Sequence, residues 1–347
     1  MARFFKLLIV TGCFLFAIAA FLYVIPSDKY ILVPDRARPL ASQVFVTGER
    51  SDEDGGGIYY VAVQVEKASL LEKIFNGNVP WPFGREGSTL VPADEVRPPG
   101  ESEQEHRAGE LRAMAESQKI GAAVALRSLG YAVPVESPGT VVAGVNPKGP
   151  AAGKLRVRDV IVSVDGEATP FLPDLRRAIR KRRPGETVEV TVQRDRGTRK
   201  IDIRTVPDPE SPGRPLIGVF TSCALQAPTK ISLPVPVRID LGQVGGPSAG
   251  LAFALDVAEE LGHDIDRGHR VAASGELCLD GSVVSVGGLK QKTIGARQAG
   301  VDVFLVPAGD NAEEARRYAG SMKVVPVQSF RQALRALATL PQERRKS

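Results

Sequence analysis

Histidine is nearly missing from this 347-residue chain: there are three, His106, His263 and His269, each among charged or turn residues. That scarcity argues against Ser-His-Asp chemistry and against histidine-rich metal centres. Cysteine is equally rare. Cys13, Cys223 and Cys278 make no CxxC pair and no Cys/His cluster at metal-ligand spacing, so no metal is expected. Cys13 falls in an apolar run; Cys223 and Cys278 are either a disulfide outside the cytoplasm or two separate buried thiols. No GxxxxGK[ST] phosphate loop occurs, because Gly149 to Leu155 comes one residue short and lacks the Ser/Thr. Charge of one sign is also lacking: 45 Lys+Arg against 40 Asp+Glu leave +5, too little over this length to imply a nucleic-acid partner. There is no internal repeat, and no cofactor is expected.

What is present suffices for two or three globular domains, with 43% hydrophobic and 24% charged residues. Arg3 and Lys6 precede residues 7–26, an apolar run of twenty residues without a charge. As a helix it spans roughly 30 Å, one bilayer core. Ala17 and Ala19 resemble a signal-peptide cleavage site, but the apolar run continues past them through Ile25, so an uncleaved anchor is expected. The flanking positive residues keep the N-terminus in the cytoplasm and place the bulk of the chain outside the cell membrane.

Beyond the anchor the texture changes three times. Residues 27–129 read as a β-rich segment, with strands over 44–46 and 59–65 around an acidic glycine turn at 51–57, followed by a helix over 101–129. Residues 130–206 form a second unit with strands over 139–145 and 159–164, a basic helix over 173–183 and a closing hairpin. Residues 207–215 hold four prolines and read as a linker. Residues 216–340 alternate strand and helix, an α/β domain, and 341–347 form a polar tail. The fold class is thus α/β (α+β) multidomain behind one transmembrane helix.

Two short segments carry chemistry. Gly246-Pro247-Ser248-Ala249-Gly250 precedes an amphipathic helical pattern, which puts Ser248 at a helix N-terminus where unpaired N–H groups can hold an oxyanion. Lys290 and Lys292 follow Gly287-Gly288 at the start of another helix. A lysine becomes a general base only when desolvation or positive charge lowers its pKa. These segments, with Ser274-Gly275-Glu276 between them, resemble the proteolytic domain of Lon-type proteases over about 216–340. The resemblance implies Ser248 as nucleophile, Lys292 rather than Lys290 as general base, and Ser274 as an orienting hydroxyl where the family has threonine. It also marks Gly246 and Pro247 as supporting residues. Gly245 stands where many members carry an acid, and the phosphate loop of the family's ATPase module is missing.

Residues 129–166 resemble a bacterial PDZ domain, through Leu129-Gly130-Tyr131-Ala132, the turn at Pro150 and Asp165-Gly166. The resemblance implies that Leu129, Gly130, Tyr131 and Ala132 receive the terminal carboxylate of a peptide. Pro134 removes one donor from the receiving strand. The whole order resembles membrane-bound PDZ-containing Lon-like proteins. It implies an ATP-independent serine endopeptidase that acts on peptides or unfolded proteins, binds C-terminal peptides and forms a homo-oligomer, a hexamer. The competing expectation is a catalytically inert PDZ scaffold at the membrane. The basic helix over 176–183 reads as a solvated charged face.

Overall fold

The computed structural model describes residues 2–41, 43–46, 56–80, 82–97, 100–195, 197–209, 211–226 and 229–342. Positions 51–55 of the expected glycine turn and 343–347 of the polar tail lie outside the described residues.

The apolar run forms helix Ala2–Val24. Its window Phe4–Val24 has mean hydropathy 2.6 and none of it is buried, so by length and composition it can cross a membrane. Pro26 cannot continue the helix and instead starts strand Pro26–Pro34. That strand lies between Val63–Ser69 and Thr89–Pro92 in an antiparallel three-stranded sheet. The single strand expected over 59–65 is two strands. Gly57–Tyr60 runs parallel to Arg270–Ala273, while Val63–Ser69 pairs with Pro26–Pro34, so the chain leaves one sheet for the other between them.

The central sheet has the order Arg38–Pro39, Gly57–Tyr60, Arg270–Ala273, Val303–Pro307 and Lys323–Val327, with the last four parallel. Successive side chains of a strand point to opposite faces. Val271, Ala273, Val303 and Leu305 therefore join Leu251, Phe253 and Leu255 of helix Gly250–Glu260 on one face. Ala272, Phe304 and Val306 join Leu289 and Ala296 of helix Leu289–Gln298 on the other. The serine segment and the lysine segment thus approach the sheet from opposite layers.

Helix Glu103–Ser128 begins in a capping box between Ser102 and Glu105. It ends with Gly130 at φ +90, the Gly130 N–H donating to Arg127 and the Tyr131 N–H to Leu126, a Schellman-type closure. Its apolar end, Ile120 to Leu126, is buried. A Cβ placed on Gly121 would sit 2.9 Å from Phe253 Cβ and 3.2 Å from the Gly250 carbonyl oxygen. Glycine lets the long helix lie directly on the helix that follows Ser248.

The second unit is a sheet of order Gly197–Arg204, Thr187–Arg194, Val160–Val164, Thr140–Val145 and Val219–Gln226, with helix Leu172–Arg180 against it. Its last strand comes from beyond the proline-rich 207–215 stretch, so the sheet draws in residues that the sequence pattern assigns to the C-terminal unit. Cys223 of that strand is bonded to Cys278, with the Cα atoms 5.0 Å apart. The disulfide joins the two units.

Candidate active site

Gly246 adopts φ +86, a backbone conformation that glycine tolerates far better than other residues. Its N–H donates to the Glu110 carbonyl of the long helix at 2.9 Å. The Pro247 carbonyl accepts from Ser117 Oγ at 2.9 Å and from the Gly250 N–H at 3.2 Å. Arg107 donates to the Gln243 carbonyl. The turn that presents Ser248 is therefore clamped by a helix whose Ser117 lies 130 residues away in sequence. On the other side the Ser248 carbonyl accepts from the Gly275 N–H at 2.8 Å and from Ser274 Oγ at 3.4 Å. The Leu251 N–H returns to the Gly275 carbonyl at 3.1 Å.

Ser248 lies just before the helix rather than in it. Helix Gly250–Glu260 has Ala249 as its N-cap, and the Gly250 N–H closes the Gly-Pro turn on the Pro247 carbonyl. The N–H groups of Ser248 and Ala249 find no acceptor among the described residues, which leaves two donors beside the hydroxyl.

Lys292 is the fourth residue of helix Leu289–Gln298, and its N–H already donates to the Gly288 carbonyl. Its side chain is buried, 5% exposed, and meets no anion among the described residues. Burial pushes the amine down to about 8. Lys290 has a different fate: its amine donates to the Ser88 carbonyl and to Thr89 Oγ1, both at 3.1 Å. Gln291 binds the Gly87 carbonyl and Thr89 Oγ1 as well. Gly295 packs so closely on Asp35 that a Cβ there would lie 1.9 Å from the Asp35 carbonyl oxygen. The N-terminal β-rich segment thereby seats the helix that carries Lys292.

Ser248 and Lys292 are not hydrogen-bonded to each other, and Ser274 Oγ is on the Ser248 carbonyl rather than on the lysine. Leu129, Gly130, Tyr131 and Ala132 follow the last turn of the long helix, and the first three close it. Among the described residues, carboxylates close enough to share a cation occur at Glu259, Asp264 and Asp266, whose oxygens lie within 4.8 Å of one another. They sit at the far end of helix Gly250–Glu260 from Ser248. Glu110, Ser117 and Arg107 escaped the sequence reading. The seven-residue spacing of Glu110 and Ser117 puts both on one helix face, but nothing local says which loop they meet.

Residues 235–339 match the C-terminal proteolytic domain of Lon protease (S16). The C-terminal unit is a Lon-type proteolytic domain. Residues 127–205 match the PDZ domain. The Lon protease of Chloroflexus aggregans is 36% identical over 100 residues, 27% of this chain and 12% of that protein. The Lon protease of Clostridium acetobutylicum is 44% identical over 62 residues, 18% of this chain and 8% of its own length. The matched region thus spans about a tenth of the length of these relatives. The PDZ domain of the SdrC-like protein from Listeria monocytogenes is 27% identical, covering 25% of this chain and 92% of that one, with a TM-score of 0.24. In domain content the chain carries a PDZ domain followed by a Lon-type proteolytic domain.

Proposed function

We propose that the Lon-type domain hydrolyses peptide bonds through a Ser248–Lys292 dyad, without nucleotide. The observation that carries this reading is the state of Lys292: buried, without an anionic partner among the described residues, and lowered to about 8. A lysine near neutrality can take a proton, and one buried without a salt bridge has little structural use. Ser248 Oγ attacks the substrate carbonyl carbon while Lys292 Nζ takes the hydroxyl proton. The N–H groups of Ser248 and Ala249 receive the oxyanion. Lys292 then returns the proton to the leaving amine, and water repeats the sequence on the acyl-enzyme. Ser274 Oγ and the Gly275 N–H hold the Ser248 carbonyl and so fix the nucleophile's backbone.

The reading extends to a chain anchored in the cell membrane by helix Ala2–Val24, with its bulk outside the cytoplasm. Assembly as a homo-oligomer, a hexamer, rests on resemblance and is checked by light scattering in detergent.

The PDZ unit recruits peptides or unfolded proteins by their C-termini, and two observations favour residues 216–220 over 129–132 as the receiving loop. Gly218 has φ +77, and the N–H groups of Ile217 and Gly218 find no acceptor among the described residues. Successive free amides at a left-handed turn form an anion nest suited to a terminal carboxylate. Strand Val219–Gln226 follows directly, and beyond its pairing with Thr140–Val145 its other edge is unpaired among the described residues. A peptide added there continues the sheet.

The absence of a Ser248–Lys292 hydrogen bond favours one competitor, an inert peptide-binding scaffold. Cleavage of casein by the full chain in detergent separates the two. Wild type is expected to cleave, and Ser248→Ala to lose at least about a thousandfold in kcat. Undiminished activity in Ser248→Ala would sink the dyad; no cleavage by wild type, with peptide binding intact, would establish the scaffold.

A further inference from the structure

Helix Leu172–Arg180 and strand Val219–Gln226 border a cleft of about 240 Å³. Neither Ser248 nor Lys292 lines it. Its apolar floor includes Leu175 and Ile179, and three arginines surround it: Arg176, Arg180 and Arg214.

The helix that forms one wall is the basic helix of the sequence, and its charges divide by direction. Arg177 is paired with Asp174, Lys181 with Glu167 and Arg182 with Asp165. Those cations are spent within the unit. The two that line the cleft, Arg176 and Arg180, have no ion pair within 4 Å among the described residues. Arg214 approaches them from the proline-rich stretch, with only a 3.7 Å contact to Asp208. The Arg176 cation is disfavoured first by burial, then by the charges of Arg214 and Arg180; Glu276 and Asp280 relieve it in part. Three guanidinium groups lining one cleft above an apolar floor, two of them without an ion pair among the described residues, suit a ligand that brings negative charge and an apolar side chain together. The solvated charged face expected for this helix is thus only one of its sides.

We propose that this cleft selects acidic peptides: Arg176, Arg180 and Arg214 are specificity-determining residues that meet acids upstream of the C-terminus, while the apolar last side chain lies on Leu175 and Ile179. The inference rests on the reading of Val219–Gln226 as the strand that receives the peptide and names the chemistry of what it receives. A basic or neutral peptide would leave Arg176 and Arg180 facing each other with no ion-pair partner in the cleft.

The test uses the full chain in detergent with Ser248→Ala throughout, so that binding is read whether or not the dyad reading holds. Fluorescence anisotropy follows a labelled peptide ending Asp-Glu-Ala-Val, its C-terminal amide, and a version with lysines for both acids. Amidation and charge reversal are each expected to weaken binding at least tenfold. Arg180→Glu is expected to reverse the preference, so that the lysine peptide binds more tightly than the acidic one. Arg214→Glu serves the same purpose should Arg180→Glu fail a melting check. A preference for the acidic peptide unmoved by both variants, or no preference in the parent chain, would overturn the selection by arginine. Equal binding of acid and amide would overturn the carboxylate nest at Ile217 and Gly218 instead, and is a separate failure. Expected binding alongside a wild type that cleaves nothing would keep the cleft and discard the protease reading.

Discussion

Lys292 starts from an ordinary pKa of 10.5, and burial brings it to about 8. Below pH 8 the folded protein carries a buried ammonium. Between about 8 and 10.5 the unfolded chain holds a proton that the folded chain does not, so stability rises with pH across that window. The shift corresponds to about 3 kcal/mol withheld from the fold near neutral pH. Lys292→Met is therefore expected to abolish cleavage while raising stability by up to about that amount at pH 7, measured by urea unfolding at pH 7 and 10. The gain should shrink at the higher pH. Catalysis by the wild type is expected to rise with pH through about 8, where the amine becomes a base; a flat profile of kcat/KM across that pH would exclude Lys292 from proton transfer. The lysine itself was legible from its motif. How deeply it is buried was not, because that depends on which parts of the chain pack on its helix.

Among the elements, the long helix is the informative one. The sequence reading placed it over 101–129; the structure starts it at Glu103, behind a Ser102–Glu105 capping box that the reading passed over, and ends it before Gly130. That it clamps the Ser248 turn through Glu110 and Ser117 could not be read, because amphipathic spacing defines a face and not the partner of that face. Gly121 is where the contact is tightest. Gly121→Ala gains helix propensity of about 1 kcal/mol but drives a methyl to 2.9 Å from Phe253 Cβ. Overpacking of that kind costs about 1–3 kcal/mol. A net loss of stability is expected in urea titration, with kcat falling more than KM rises as the Ser248 turn shifts. Stability at or above wild type would show that the two helices are free to separate. The single strand expected over 59–65 failed for a related reason: alternation shows that residues are extended but not that their halves enter different sheets.

At the scale of the molecule, the Cys223–Cys278 disulfide and the shared sheet decide how the units are joined. Closing a sequence separation of 55 is worth about 4 kcal/mol on a chain-entropy estimate. Reduction with dithiothreitol is expected to lower the melting temperature of wild type and to leave a Cys223→Ser, Cys278→Ser double variant unaffected. Equal melting with and without reductant would remove the bridge from the account. From sequence the two cysteines were open to either reading, since pairing depends on segments that meet only in the fold. The peptide loop has the same difficulty. Leu129-Gly130-Tyr131-Ala132 has the composition of a carboxylate loop, and its first three residues close the long helix, while the loop proposed instead, at Ile217 and Gly218, lies beyond a proline-rich stretch.

Read alone, the sequence determined the apolar N-terminal segment, the order of a PDZ domain before a Lon-type domain and the motifs that hold Ser248 and Lys292, because each is written in neighbouring residues or in a short motif. Tertiary structure decided what clamps Ser248, how deeply Lys292 is buried, which strand completes the second sheet and where the arginines find a cleft. Those outcomes depend on segments brought together from distant parts of the chain, and packing of that kind leaves no periodicity behind in the sequence.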